Sequence, residues 1–364
     1  MFKWFLLLVA YLPFQIALNP RPSVDLASLR LFVVLLLGAW LIRGLIIKSR
    51  PNWFYFKNLQ AIGLLFFLAL AFLSLFGAEN VFWGLRKLAF FLSIWPLYLL
   101  TVILVGNWAK IKRVIAILVK GAGLIALIGL GQFLAQFILG LEKVYQFWAL
   151  NIVPVFSGFN LGTMILAYPS WLVNLSGQTV LRAFSLFSDP HMFSFYLGLL
   201  LPIVAVLYLK ERKIFLLFIS GLLFVTLLLT FTRGAYLAII ITFLVLAGLF
   251  WKYFQSPKTA LLLSSVLLIF IIPVTPIADR FYSSFDLADG SNLGRLEMWQ
   301  QAGQSSLENF WQGLGLGNYS LLVEPDLDYR NPATAHNLYL DIFSEMGIFA
   351  LIIWLVLIGM NCQI

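Results

Sequence analysis

The chain is short of charge, of cysteine and of histidine, and each shortage excludes something. Only 11% of its 364 residues are Asp, Glu, Lys or Arg, while 62% are hydrophobic. A soluble domain carries about 25% charged residues, so one large water-soluble core is excluded. The single cysteine, Cys362, leaves no internal disulfide framework and no cysteine-built zinc or iron–sulfur site. Two histidines, His191 and His336, without HExxH spacing give no expected metal centre. Asp189 and His191 in "SDPH" are too few to make one, and no cofactor is expected. Internal repeats and low-complexity tracts are also lacking.

What the chain has in quantity is apolar runs. A membrane-crossing helix needs about 20 such residues. Suitable runs fall near 2–18, 25–47, 58–76, 88–106, 114–137, 191–209, 214–231, 235–251, 259–276 and 338–360. The first resembles a secretion signal in Lys3 and its apolar stretch, but it has no small-residue cleavage site and is expected to be a retained helix. The expected fold is all-α: a polytopic membrane helix bundle of about 10 transmembrane helices with a long ordered extracytoplasmic loop.

The net charge of +9 does not point to nucleic acid, because the basic residues gather in short loops between apolar runs. With the N-terminus inside, the cytoplasmic groups are Lys3, then Arg43, Lys48, Arg50 and Lys57, then Lys110, Lys112 and Arg113. Lys210, Arg212 and Lys213 follow, and last Lys252 and Lys258. Dense positive charge of this kind marks the cytoplasmic side. Residues 144–181 carry no charge yet are interrupted by Pro154, Gly158, Gly162, Pro169 and Gly177. They are expected to form an interfacial or re-entrant segment, or a pair of half-spans; one full crossing there would invert everything downstream.

The chain then divides into N-terminal transmembrane helices (1–137), an extracytoplasmic, partly interfacial segment (138–190), central transmembrane helices (191–276), an extracytoplasmic loop (277–337) and a C-terminal transmembrane helix (338–364). The loop has soluble composition and a helix-like piece from Leu293 to Leu307. Its "GLGLGNY" (313–319) lacks the strand–turn–helix setting of a dinucleotide site and reads as a flexible turn.

Four polar positions fall on the outer side near span ends: Arg182, Arg233, Arg295 and His336. Arg233 sits in "LLLTFTRGAYLAIII", between two apolar runs with almost no loop. A cation at mid-membrane costs about 2.5–3.5 kcal/mol on insertion scales, less near the interface. Each has a plain reading: a snorkelling arginine at 233, an interfacial anchor at 182, a solvated first-turn residue at 295, a helix-entrance histidine at 336. Their shared side of the membrane, reached by separate topology assignments, favours a site. Beyond His336, Asn337, Asp341 and Glu345 recur every four residues on one helix face. They are read as a structural polar face that orients the helix, and His336 lies around from both acids.

Four stretches then resemble the O-antigen ligase and polymerase family of bacterial membrane glycosyltransferases. They are "LRAFSLFSDPHMFSFYL" (181–197), "TFTRGAYLA" (230–238), "GRLEMWQQAGQSSLENFWQGLGLGNY" (294–319) and "HNLYLDIFSEMGIFALIIWL" (336–355), covering roughly 175–355. Two departures stand out. The family has asparagine after proline where this chain has Pro190–His191, and its members have about two further spans, so a truncated product is expected.

The resemblance implies a donor glycan on polyprenyl pyrophosphate, an acceptor that is another glycan or the lipid A core, membrane lipids around the protein, and no nucleic acid. It implies an inverting, metal-independent transfer on the periplasmic side of the bacterial inner membrane, in lipopolysaccharide and cell-envelope polysaccharide assembly. Arginine suits the departing phosphate because its fork stays charged and binds two oxygens at once. Arg233 and Arg295, with Arg182 as a third substrate-binding candidate, are expected there. Histidine, with an ordinary pKa near 6.5, can accept the acceptor hydroxyl's proton, so His336 is the expected base, or else a hydrogen-bonding residue. Ligase is preferred; polymerase is the alternative in the same class. A secondary transporter, with substrate near the midplane at broken helices, is the alternative from another class, and a scaffolding role is the least expected.

Overall fold

The computed structural model describes residues 1–21, 24–46, 58–167, 170–175, 177–249, 276–286, 290–323 and 333–361. In chain order the helices are α1 (Phe2–Tyr11), α2 (Ser28–Ile46), α3 (Leu59–Leu73), α4 (Val81–Leu104), α5 (Trp108–Leu139), α6 (Leu141–Phe147), α7 (Val153–Phe156) and α8 (Phe159–Ala167). They continue as α9 (Pro190–Glu211), α10 (Ile214–Leu228), α11 (Arg233–Leu249), α12 (Pro276–Tyr282), α13 (Gly290–Glu308), α14 (Tyr319–Val323) and α15 (Leu338–Asn361).

Several of these starts follow from one local device. The side chains of Asn58, Asn80, Asn107 and Asp189 accept from Ala61, Trp83, Lys110 and His191 backbone N–H at 2.6, 3.1, 3.0 and 2.6 Å. Each satisfies a donor that the first helical turn leaves open. At α9, Pro190 in the first turn has no N–H to satisfy. The Asn80 cap starts α4 seven residues before the run expected at 88–106, which brings Arg86 and Lys87 into the helix.

Among the described residues six helices are long and apolar enough to cross a membrane: Ser28–Ile46, Leu59–Gly77, Val81–Leu104, Trp108–Leu139, Pro190–Glu211 and Leu338–Met360. Phe2–Phe14, Ile214–Leu228 and Arg233–Leu249 are apolar but shorter. The expected span at 259–276 lies outside the described residues, apart from its last. The bulk is an all-α, multi-pass membrane protein, with outward-facing Ile138, Leu199 and Leu244 suited to lipid rather than water.

Two antiparallel hairpins depart from an all-helical reading. The first pairs β1 (Ala17–Arg21) with β2 (Val24–Ala27), the second β3 (Leu172–Leu175) with β4 (Gln178–Leu181). The run expected to span 2–18 is helical only to Phe14, because Pro13 opens a tight 3-10 turn and the chain then extends. The uncharged 144–181 segment holds the end of α6, a π turn at Trp148–Ile152, α7, α8 and the second hairpin.

The chain forms two compact units: Val33–Gly106 with Leu287–Ile364 (and Met1), and Phe2–Phe32 with Asn107–Asp286. The second, here the Arg182 unit, packs α5, α9, α10 and α11 around Ile125, Phe193, Leu197, Leu223 and Leu227. Small residues on α5, Ala122 and Ala126, let neighbouring helices approach closely. The first, the His336 unit, packs α3, α4 and α15 around Phe67, Ala71, Leu88, Ile342 and Met346.

Within the His336 unit α15 is broken. Gly347 takes φ 76° and ψ −178°, a conformation that only glycine adopts at little cost. The break frees backbone groups that a helix would satisfy. Leu314 and Gly315 N–H donate to the Ser344 and Glu345 carbonyls at 2.8 and 3.0 Å, and Ile348 N–H donates to the Phe310 carbonyl at 3.0 Å. The "GLGLGNY" stretch is therefore a correction to the sequence reading: it is a buried, backbone-bonded splint across the break, not a flexible turn.

Candidate functional site

In the Arg182 unit, two polar residues inside the α5 span fix the backbone around Arg182. Gln136 pairs with Leu181 as a neighbouring strand would, donating to its carbonyl at 2.9 Å and accepting from its N–H at 2.8 Å. Gln132, one turn earlier, donates to the Arg182 carbonyl and accepts from Phe184 N–H, both at 3.1 Å. Trp171 stacks on Phe184 at 3.9 Å and donates to the Ser188 carbonyl at 2.9 Å. The loop from β4 to α9 is thus held on both flanks.

The Arg182 side chain is 4% exposed. Its guanidinium donates to the Thr230 carbonyl at 2.7 Å, the Ser170 carbonyl at 3.2 Å and Thr232 Oγ1 at 3.0 Å. Burial, then repulsion from Arg280, bring its pKa down to about 10; Asp189 works in the opposite direction and Arg233 in the same. It still carries full charge near neutral pH. Three of five N–H donors are thereby committed to protein acceptors, which pins the loop to the α10–α11 corner.

Arg233 is the first residue of α11, half-buried, and donates to the Ser283 carbonyl at 3.0 Å. That bond draws the end of α12 to the corner, where Ile277 and Phe281 pack on Leu228 and Tyr236. Arg280 lies between those two apolar contacts in sequence. Its influence on Arg182 places a third guanidinium in the cluster, one that the sequence reading missed. The available signal was "ADRFY", a cation in the first turns after an apolar run. Asp189 is occupied as the α9 cap, accepting from His191 and Met192 N–H.

An apolar furrow of about 240 Å³ runs between α9 and α11. Its lining begins at Ser194 and Ala235, two residues past Arg233, and continues along Gly198, Pro202, Ala238 and Thr242. Arg233 thus begins the helix whose next turn lines an open apolar furrow.

In the His336 unit, His336 is exposed and its backbone has φ 50°. A non-glycine residue in that region stores roughly 1–3 kcal/mol and persists only where its surroundings over-determine it. They do so here. Ala335 N–H donates to Asp341 Oδ1 at 2.8 Å, and Asn337 Oδ1 accepts from Tyr339 and Leu340 N–H at 3.1 and 3.4 Å. The chain before and after His336 is tied down, and His336 N–H itself donates to Thr334 Oγ1 at 3.4 Å. The imidazole makes no hydrogen bond among the described residues, so its nitrogens are open to a ligand. Further along the same stripe, Lys87 of α4 donates to Glu345 Oε2 at 2.5 Å. Lys87 was also missed; its signal is a lysine inside an apolar helix, which demands an anion.

Arg295 lies on α13, half-buried, with no hydrogen bond or ion pair among the described residues. Met298 and Ala302, three and seven residues on, share its helix face. Met298 accepts at its carbonyl from Tyr319 Oη at 3.0 Å, and burial pushes that phenol up to about 12. Ala302, Tyr319 and Ala335 form one buried cluster. Arg295 therefore stands on the α13 face that packs against the residue preceding His336.

Residues 214–355 match the family model described as O-antigen ligase. The match takes in Arg233, Arg280, Arg295 and His336 and stops short of Arg182. No curated protein and no solved structure matches the chain.

Proposed function

We propose, from the match of residues 214–355 to the family model described as O-antigen ligase, that the chain is a membrane glycosyltransferase. It transfers a glycan from a polyprenyl-pyrophosphate carrier to a sugar hydroxyl, on the extracytoplasmic side of the bacterial inner membrane. The reaction is inverting and uses no metal, as the family resemblance implies. One observation supports this beyond the match: Arg233, grouped electrostatically with Arg182 and Arg280, begins the helix whose next turn lines an apolar furrow, a pairing suited to a pyrophosphate on a long hydrocarbon chain.

The acceptor oxygen attacks the anomeric carbon, and the bond from that carbon to the pyrophosphate oxygen breaks. The electron pair leaves with the pyrophosphate; the acceptor's proton passes to His336, whose exposed imidazole makes no hydrogen bond among the described residues. Arg295, in the unit that holds His336, balances charge on the departing phosphate, and preorganised cations can supply several kcal/mol to such a step; Arg233, in the other unit, is a proposed donor-binding residue. Arg182 contributes a fixed positive field and holds the loop that carries it. Asn337, Asp341 and Glu345 position the helix entrance.

The test is transfer by purified protein from a polyprenyl-pyrophosphate glycan to defined acceptors. A lipid A core acceptor becoming glycosylated makes the protein a ligase; growth of a second carrier-bound glycan makes it a polymerase. Failure with every hydroxyl acceptor, together with solute flux in vesicles lacking lipid-linked sugar, contradicts the proposal.

A further inference from the structure

Lys120 is a charge that the glycosyl-transfer reading leaves unused. It lies 12 residues into α5, about 18 Å along the helix at 1.5 Å per residue, inside a segment long and apolar enough to cross the membrane. Among the described residues it makes no hydrogen bond or ion pair. An ionisable group at such depth is expensive unless it meets a partner or water.

Lys112, Ala116 and Lys120 recur every four residues and so share one face of α5. That face lines an open cavity of about 800 Å³, bounded on its other sides by the end of α9, the start of α10 and Leu246 of α11. Lys210 and Lys213 complete the basic lining, and Glu211 is the one carboxylate on it. Glu211 is already paired with Lys213 at 2.7 Å, so Lys112, Lys120 and Lys210 form a positive surplus. Below the lysines the walls are apolar, including Ile203, Val206 and Leu216. This is the opposite end of α9 from Asp189 and the arginine cluster, and by charge density it is the cytoplasmic end.

We propose that this cavity binds an anionic glycerophospholipid, its phosphate among Lys112, Lys120 and Lys210 and its acyl chains along the apolar wall. Lysine stems lie along hydrocarbon while their ammonium groups reach toward the polar boundary, so Lys120 and Lys112 converge on one headgroup from below and above. A free phosphate would use the ammonium groups but gain nothing from the greasy wall. A neutral phospholipid would fill the wall but leave Lys120 without an anion. The inference stands apart from the transfer reaction, because its groups lie at the other end of α9.

The test counts lipids bound to the full chain by native mass spectrometry, after purification from vesicles of phosphatidylcholine with phosphatidylglycerol. The wild-type protein retains phosphatidylglycerol in preference to phosphatidylcholine. Lys120→Met, Lys112→Met and Lys210→Met each lower that retention about fivefold, as expected for one basic side chain near a charged headgroup. Lys120→Arg and the distant Lys143→Met leave it unchanged. Should Lys120→Met fail to fold, the Lys112 and Lys210 variants decide the matter. Equal retention by wild type and all three neutralised variants overturns the proposal. So does equal retention of the two lipids, or displacement of the lipid by inorganic phosphate.

Discussion

The two units carry their polar residues in opposite states. In the Arg182 unit the guanidinium groups are bound to the fold: Arg182 donates to two carbonyls and a hydroxyl, and Arg233 to a carbonyl. In the His336 unit the fold holds the backbone and leaves the functional groups open. The chain on either side of His336 is held by Asp341 and Asn337 while the imidazole is exposed, and Arg295 has no protein partner among the described residues. One unit provides a standing positive field; the other presents groups that can change partners. Substituting the arginines of the first should therefore cost stability along with activity, and substituting His336 or Arg295 in the second activity alone.

The largest expected effect breaks the scaffold of the His336 unit itself. A Cβ at Gly347 would collide with the Trp311 carbonyl, and one at Gly313 with the Glu345 backbone, and both glycines have positive φ. Gly347→Ala is expected to abolish a cooperative melting transition or cost more than about 3 kcal/mol, since strain and overpacking combine. A normal melting curve would show that the splint does not hold the helix break.

Arg182→Ala comes next. It leaves the buried Thr230 carbonyl with only the long bond from Thr232 Oγ1 at 3.4 Å, at about 1–3 kcal/mol for an under-satisfied buried group. The melting temperature should fall and transfer should fall with it, whereas Arg182→Lys, with three donors but no planar fork, recovers only part. Unchanged stability in Arg182→Ala would erase the contrast between the units.

The smallest effect sharpens the account of the polar stripe. Glu345 is nearly buried but Lys87 is 30% exposed, so the pair is partly screened by its surroundings. Glu345→Gln should destabilise by about 1–2 kcal/mol, and Lys87→Met added to it should recover most of that loss. Additive losses in the double variant would show the two residues to be uncoupled.

Hydropathy alone made much of the fold legible, because a span must satisfy its backbone internally and so reads as an uninterrupted apolar run. The same signal hid the break in α15, since "EMGIFALII" reads as apolar on both sides of Gly347. The Ser344 and Glu345 carbonyls freed there are taken by Leu314 and Gly315. The long helix in the outer loop was legible as Leu293–Leu307 and extends to Gly290–Glu308. Gln132 and Gln136 were not, because two amides in a span announce their spacing but not the strand they pair with. Lys87 and Glu345 are 258 positions apart, and no local pattern joins them. Arg280 shares the same obscurity: its place beside Arg182 depends on α12 docking at the α10–α11 corner.

The central claim is that an outward imidazole with no structural duty serves a transfer reaction. The most direct measurement is the rate of glycan transfer from the polyprenyl-pyrophosphate donor by His336→Ala, taken beside its melting temperature. The account predicts a rate lowered about 10²–10⁴-fold, the range for loss of a general base, at an unchanged melting temperature. A near-normal rate in a well-folded His336→Ala protein would contradict it.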